Sequence, residues 1–338
     1  MCITKNELIQ NYFYNKAISE NKPVGVMIEL LTKCNLRCKH CYLPTHIESG
    51  FETNYIKKLL CELRELGIVN VSFTGGEIFL REDIFELIKT ARDLHMRVFL
   101  LSNATLLTEQ KIKMLSELYI TEFSTTIFSL KEEINDFITE QKGSLKIILD
   151  NLQLLKKYNI KVQVKTPLMD INCNDLNDIE RYCKKNNFAF HVSPIIFPKL
   201  DGNDEPQKMM MKHKDLLKTL NKIDQVTRNT HLHTDNIPCI ALLHSFAIDC
   251  NGNVFPCNSF FYKVGNVYDN PIKNIWYDSK ELKFIKSIRN TDLKGCISCE
   301  YSSQCDRCPG MAFLNHQDVF SCDEYSKELA KIRLSKYC

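Results

Sequence analysis

From residue 23 onward the chain alternates two hydrophobic patterns. Short apolar runs at 24–31, 69–73, 98–101, 120–128, 160–165 and 188–196 are rich in β-type residues. Between them apolar residues recur at helical spacing, as in Ile56, Leu59, Leu60, Leu63 and Leu66, or Leu145, Ile148, Leu149, Leu152 and Leu155. Nearly continuous apolar strands separated by amphipathic helices predict a parallel sheet covered by helices, an α/β fold. Six such units are too few for a closed eight-stranded barrel.

The flanks read differently. Residues 1–22 are polar apart from Tyr12, Phe13 and Tyr14 and predict a short helix over one end of the sheet. From 198 to 238 the period loosens: Pro198, Asp201-Gly202, Pro206, the run Met209-Met210-Met211 and a helix over 214–226 suggest a bridge between domains. The methionines read as gap-filling core more readily than as the lining of a substrate channel. Residues 239–338 have little α/β periodicity and hold most of the cysteines.

Composition narrows the class. The 338 residues have room for two domains with a sizeable core. Forty-four basic against 41 acidic residues gives no sign of nucleic acid or an anionic membrane as partner. No apolar run reaches the ~20 residues of a membrane span, and the N-terminus lacks the features of an export signal, so the expected location is the cytoplasm. Sixteen cysteines in such a compartment point to metal rather than to disulfides.

Three of them, Cys34, Cys38 and Cys41, stand on one short loop directly after the first apolar run. Three thiolates there can hold three irons of a [4Fe–4S] cube and leave the fourth open to a substrate or cofactor. A zinc loop or three buried thiols would use the same residues. The later cysteines run Cys239-x12-Gly252-x4-Cys257, then Cys296-x2-Cys299-x5-Cys305-x2-Cys308, then Cys322. Gly252 predicts the tight turn of a hairpin that brings Cys239 and Cys257 together. Two zinc-ribbon sites or two iron–sulfur clusters fit this set equally.

In parallel α/β sheets chemistry gathers where strands end. Thr74-Gly75-Gly76-Glu77 follows the second run, Ser102-Asn103 the third, Thr126-Ile127-Phe128-Ser129 the fourth, and the segment 165–173, ending in Cys173, the fifth. His191 lies inside the sixth and reads as a satisfied core histidine.

The Cys-x3-Cys-x2-Cys loop and the Gly-Gly-Glu turn one strand later resemble the radical S-adenosylmethionine (SAM) superfamily, and the later cysteines closely resemble its SPASM extension. The resemblance implies a partial (β/α)6 barrel at 23–197, after a 1–22 extension, a 198–238 bridge and a cysteine-rich iron–sulfur domain at 239–338. It implies three [4Fe–4S] clusters: one on Cys34, Cys38 and Cys41, whose open iron is chelated by the methionine end of SAM, one on Cys239, Cys257 and Cys308, and one on Cys296, Cys299, Cys305 and Cys322. Cys250, two residues before Gly252, could complete the first auxiliary cluster. By the same resemblance Gly75 and Gly76 let the backbone approach SAM, Glu77 marks the end that meets its α-amino group, Ser102 and Asn103 contact its carboxylate and ribose, and Thr126 reaches the ribose. Phe128 replaces the acid usual in the family's fourth-strand motif. Cys173, facing the mouth of the site, could return a hydrogen atom to a substrate radical, with an ordinary loop cysteine as the alternative.

Family members cleave SAM to a 5′-deoxyadenosyl radical that abstracts hydrogen from substrate. Most SPASM members modify a ribosomally made precursor peptide by cross-linking, epimerisation or oxidation, including formylglycine formation; others act on tetrapyrroles or small molecules. The implied partners are a precursor peptide and an external electron donor of flavodoxin or ferredoxin type; about 22 residues before the first strand are too few for a leader-binding domain, so leader recognition is either absent or supplied by a separate protein.

Overall fold

The computed structural model describes residues 5–211, 216, 219 and 237–335; the helix expected at 214–226 lies mainly outside them. All six expected strands form: β1 (Gly25–Glu29), β2 (Asn70–Thr74), β3 (Arg97–Leu101), β4 (Glu122–Thr126), β5 (Val162–Pro167) and β6 (Ala189–Ser193). Each pairs parallel with the next. They are joined through α2 (Thr53–Leu66), α3 (Ile84–Asp93), α4 (Glu109–Glu117), α5 (Glu132–Thr139), α6 (Ser144–Lys157) and α7 (Leu176–Asn186). The predicted stripe on α2 is buried along its whole length, as is that on α6 apart from Leu149. Each fully buried Leu or Ile contributes roughly 1.5–3 kcal/mol, so these faces hold the helices on the sheet.

The two faces of the sheet differ, which the near-continuous apolar runs did not predict. Val71 and Phe73 on β2, Val98 and Leu100 on β3, and Val162 and Val164 on β5 are buried beneath the helices. The alternate positions, Ser72 and Thr74, Phe99 and Leu101, Gln163 and Lys165, are only half-buried. A strand turns successive side chains to opposite faces, so one face is core and the other lines an open, partly polar lumen. His191 is likewise exposed on β6, the edge strand, and is not the core histidine expected.

The sheet does not stop where the second domain was expected to begin. Strand β7 (Ser245–Ile248) pairs parallel with β1, and β8 (Asn253–Phe255) and β9 (Gly265–Asn266) extend it antiparallel. The nine strands run in the order β6-β5-β4-β3-β2-β1-β7-β8-β9. Gly252 turns the β7–β8 hairpin with φ +81, and a Cβ there would come within 2.7 Å of the Tyr268 ring. Beyond it lie α8 (Ile272–Asp278), α9 (Lys280–Ser287), α10 (Pro309–His316) and α11 (Glu324–Ser335). The N-terminal α1 (Lys5–Ser19) leans toward this C-terminal part: the Tyr14 ring packs at a tilt against that of His244, 4.9 Å between centroids, and Trp276 donates to the Asn21 carbonyl at 2.8 Å. The methionine run packs into two apolar clusters, Met211 with Leu168 and Val192, Met209 and Met210 with Phe128, Met169 and Ile196 beside Cys38.

Candidate active site

The loop after β1 is pinned at both ends. The Thr32 and Lys33 amides donate to the Glu48 carbonyl at 3.1 and 3.2 Å, and the Lys39 amide donates to Ile138 at the end of α5 at 2.9 Å. The Arg37 guanidinium folds back onto the Cys34 and Leu36 carbonyls at 2.6 and 2.8 Å. This places Cys34, Cys38 and Cys41 on one cavity of about 220 Å³ at the carboxyl ends of β1 to β5. Burial pushes the Cys41 thiol up to about 11, and the Cys34 and Glu29 charges add to it. Cys38 is raised further by burial and by its neighbours Cys41 and Cys34. Three thiols that oppose one another's ionisation need a multivalent cationic partner to become thiolates together. An iron–sulfur cluster fits that donor set. Among the described residues no three Cys, His, Asp or Glu side chains converge as they would around a single metal ion.

The Gly-Gly turn serves this loop. The Gly76 amide donates to Leu31 at 2.9 Å and the Glu77 amide to Lys33 at 2.8 Å. A Cβ on Gly76 would sit 2.2 Å from the Lys33 carbonyl oxygen, and one on Gly75, whose φ is +142, 2.3 Å from that of Leu31. The glycines thus let two backbones meet, with their own backbone on the cavity wall.

Glu77 differs from expectation. Its side chain is fully buried, and it is absent from the residues lining the cavity. Its carboxylate accepts from the Phe79 amide at 2.9 Å, the Asn103 amide at 2.8 Å and the Ser102 hydroxyl at 2.8 and 2.9 Å. Burial pushes its pKa up while these donors pull it back. Glu77 is therefore a tie between β2 and β3. Ser102 lines the cavity, but its hydroxyl hydrogen is spent on Glu77, not on a ligand. Asn103 reaches the cysteine loop, donating to Asn35 at 2.9 Å and lying 3.8 Å from the Cys34 sulfur. Thr126 lines the same cavity from β4.

The later cysteines separate into two neighbourhoods. Burial pushes Cys257 up to about 12, and Cys239 and Cys308 lie near enough for their charges to add to it. Burial also takes Cys305 to about 12, with Asp323, Cys322 and Cys296 as its neighbours. Cys299 follows Cys296 by one tight turn, its amide donating to the Cys296 carbonyl at 3.2 Å. The two residues between Cys305 and Cys308 are each tied to the surrounding chain. Arg307 donates to the Ser321 and Val319 carbonyls at 2.7 and 2.6 Å, and Asp306 pairs with Arg333 of α11 at 2.8 Å.

The family model of the radical SAM superfamily matches residues 28–184, and that of the SPASM iron-sulfur cluster-binding domain matches residues 239–309. The chain belongs to the radical SAM enzymes with a SPASM domain. Its cofactors are accordingly SAM and iron–sulfur clusters. Among curated relatives it is 24% identical to an AdoMet-dependent heme synthase of Oleidesulfovibrio alaskensis, over 88% of this chain and 86% of that one. It is 22% identical to the antilisterial bacteriocin subtilosin biosynthesis protein AlbA of Bacillus subtilis, over 85% and 67%. Streptococcus suis SuiB, solved with its precursor peptide SuiA, shares the fold with a TM-score of 0.72 and 17% identity over 95% of this chain and 80% of that one.

Within this radical SAM/SPASM frame two expected residues are elsewhere. Cys173 does not face the cavity: it is 5% exposed in an apolar cluster with Leu176, Val192 and Met211, its sulfur 3.2 Å from the Asp170 carbonyl. The loop after β5 turns back over the sheet edge and buries it, so the hydrogen-donor role falls away. Cys250 does not join Cys239 and Cys257. It is 4% exposed and points to the loop before α2, where its thiol donates to Glu48 at 3.2 Å, beside Glu29 and Asp249. The β7–β8 turn sends it toward β1 rather than toward the auxiliary set.

Three cavity residues were missed. The His40 ring packs edge-on against Phe128 at 4.8 Å, and its Nδ1 is buried without a hydrogen-bond partner, as is the Thr125 hydroxyl. Both line the cavity, as does Lys165. The signal for Lys165 was the alternation of Val162 and Val164 with Gln163 and Lys165, which puts the polar pair on one face of β5.

Proposed function

We propose that this enzyme uses SAM on the Cys34–Cys38–Cys41 cavity to modify a ribosomally made precursor peptide at an unactivated carbon. The observation that carries the reading is one cavity at the strand ends holding three mutually opposing thiols, the Gly75-Gly76 backbone and polar groups that lack partners. When bound, SAM supplies a 5′-deoxyadenosyl radical on one-electron reduction. Cys34, Cys38 and Cys41 hold the cluster, Glu77 fixes Ser102 and Asn103, and Asn103 steadies the loop at Asn35. Cys239, Cys257 and Cys308 hold one auxiliary cluster, and Cys296, Cys299, Cys305 and Cys322 another. Two such clusters suit cross-linking or oxidation, which release electrons. The fold shared with a protein solved with its precursor peptide, and the likeness to a bacteriocin biosynthesis protein, support a peptide substrate.

A second reading, a tetrapyrrole substrate, is favoured by the heme synthase relative, whose match spans most of both chains. The test is anaerobic incubation of the iron- and sulfide-reconstituted chain with dithionite and SAM, with either the peptide encoded beside its gene or a porphyrin. A mass change in the peptide supports the first reading, and altered porphyrin absorption the second. Absence of deoxyadenosine release under every condition overturns both.

A further inference from the structure

His46 lines the cavity beside the cysteine loop, and its Nε2 lies 3.6 Å from the Cys41 sulfur, a hydrogen-bond distance for so large an acceptor atom. The backbone around it is pinned. Glu48, two residues on, accepts from the Thr32 and Lys33 amides at 3.1 and 3.2 Å, and its own amide donates to the Thr32 hydroxyl at 3.0 Å. Thr45 and Ile47 on either side are exposed, Ile47 by 71%, while His46 is half-buried. Burial of apolar area alone would favour Ile47 inward and the polar imidazole outward. A specific contact therefore holds the ring inside, and among the described residues the polar contact it makes is with Cys41.

The chemistry of the site decides which atom donates. A cysteine that holds iron is a thiolate with no hydrogen of its own, so the contact is a hydrogen bond only when Nε2 carries the proton. We infer that His46 donates its Nε2 hydrogen to the Cys41 thiolate and thereby raises the reduction potential of the cluster on Cys34, Cys38 and Cys41. Such a bond is stronger to the electron-rich reduced cluster than to the oxidised one, and hydrogen bonds to the sulfurs are among the levers that set cluster potentials. At Cys34 the nearest donor is the Leu36 amide at 3.4 Å, which any residue at that position would offer, with the Asn103 side chain farther off at 3.8 Å. His46, by contrast, is a side-chain donor and so a property of this sequence. It acts through Cys41 and is a positioning residue; the inference rests on the proposed placing of the cluster on these three cysteines.

The test uses the reconstituted full chain and needs neither substrate nor turnover, so its failure is separate from failure of the proposed function. In an anaerobic redox titration followed by electron paramagnetic resonance, the signal of this cluster is the one that shifts on adding SAM and that Cys41→Ala abolishes. Without SAM, His46→Leu should lower its midpoint by the equivalent of a tenfold change in the reduced-to-oxidised ratio, about 59 mV for one electron, at unchanged iron content. His46→Gln, which keeps an N–H at similar reach, should recover most of the shift. An independent reading that needs no midpoint comes from protein carrying isotopically labelled histidine: pulsed resonance of the reduced cluster should show a weak coupling to the labelled nitrogen that His46→Gln removes. Midpoints of wild type and His46→Leu within a twofold ratio, or a coupling that survives His46→Gln, would overturn the inference. A coupling as strong as that of a directly bound imidazole would make His46 an iron ligand instead and overturn it too. A cluster signal that survives Cys41→Ala would remove the cluster assignment and the inference with it.

Discussion

Replacing Glu77 with glutamine tests whether this side chain is a structural tie or a cofactor ligand. The change keeps shape and removes charge. In the native site the carboxylate takes the Phe79 amide on one oxygen, the Asn103 amide on the other, and the Ser102 hydroxyl across both. Glutamine offers one oxygen, so an NH2 group must face either the Phe79 or the Asn103 amide, donor against donor. The position is fully buried, and no water can repair the mismatch. One lost bond to a charged acceptor and one orphaned buried donor together cost about 2–5 kcal/mol. The assay is urea unfolding of the reduced chain without iron or SAM, followed by circular dichroism. A structural tie predicts a clearly lower midpoint in the variant with both cofactors absent. Unfolding within about 0.5 kcal/mol of wild type, combined with tenfold weaker SAM binding after reconstitution, would refute the reasoning and return Glu77 to the cofactor.

Three further changes probe the rest of the site. Gly76→Ala puts a methyl 2.2 Å from the Lys33 carbonyl oxygen and 2.4 Å from that of Thr32, so the loop must shift; cluster content after reconstitution, read by iron assay, should fall sharply while far-ultraviolet dichroism stays native. Cys257→Ala should lose up to about four irons per chain, one [4Fe–4S] cube, whereas Cys250→Ala should retain the wild-type content; equal loss from both would return Cys250 to the auxiliary site. Glu29 is 9% exposed, accepts from Tyr42 at 2.8 Å, and is raised by burial from 4.5 to about 7. A raised carboxyl favours the fold while protonated, so its contribution is full below pH 4.5 and is lost as pH rises through 7, a swing of about 3 kcal/mol. Relative to wild type, Glu29→Gln should gain stability between pH 5 and pH 8, measured by urea midpoints; a pH-independent difference would contradict the shift.

The strand and helix plan was legible because it is local. The period of Ile56, Leu59, Leu60, Leu63 and Leu66 reports a helix face whatever it packs on, and the expected face is the buried one. The lumen was less legible. An apolar run such as 98–101 reads as buried on both sides, yet Phe99 and Leu101 are only half-buried, because the curvature that opens a lumen is set by strands far away in sequence.

Cysteine spacing shows the same division. Cys34, Cys38 and Cys41 are held on one short loop, so their spacing alone brings three thiols to one place. Cys173 and Cys250 sit equally close in sequence to their expected sites, but a loop returning over the edge strand buries the first, and a hairpin turning toward β1 carries off the second. By itself the sequence determined the repeated strand–helix units, the triad loop and the glycine turn beneath it, all products of short-range geometry. Tertiary structure alone decided that Glu77 is a tie and that Cys250 belongs to Glu48, since each depends on which distant groups meet in a water-poor interior, where an unmatched polar group carries the largest cost.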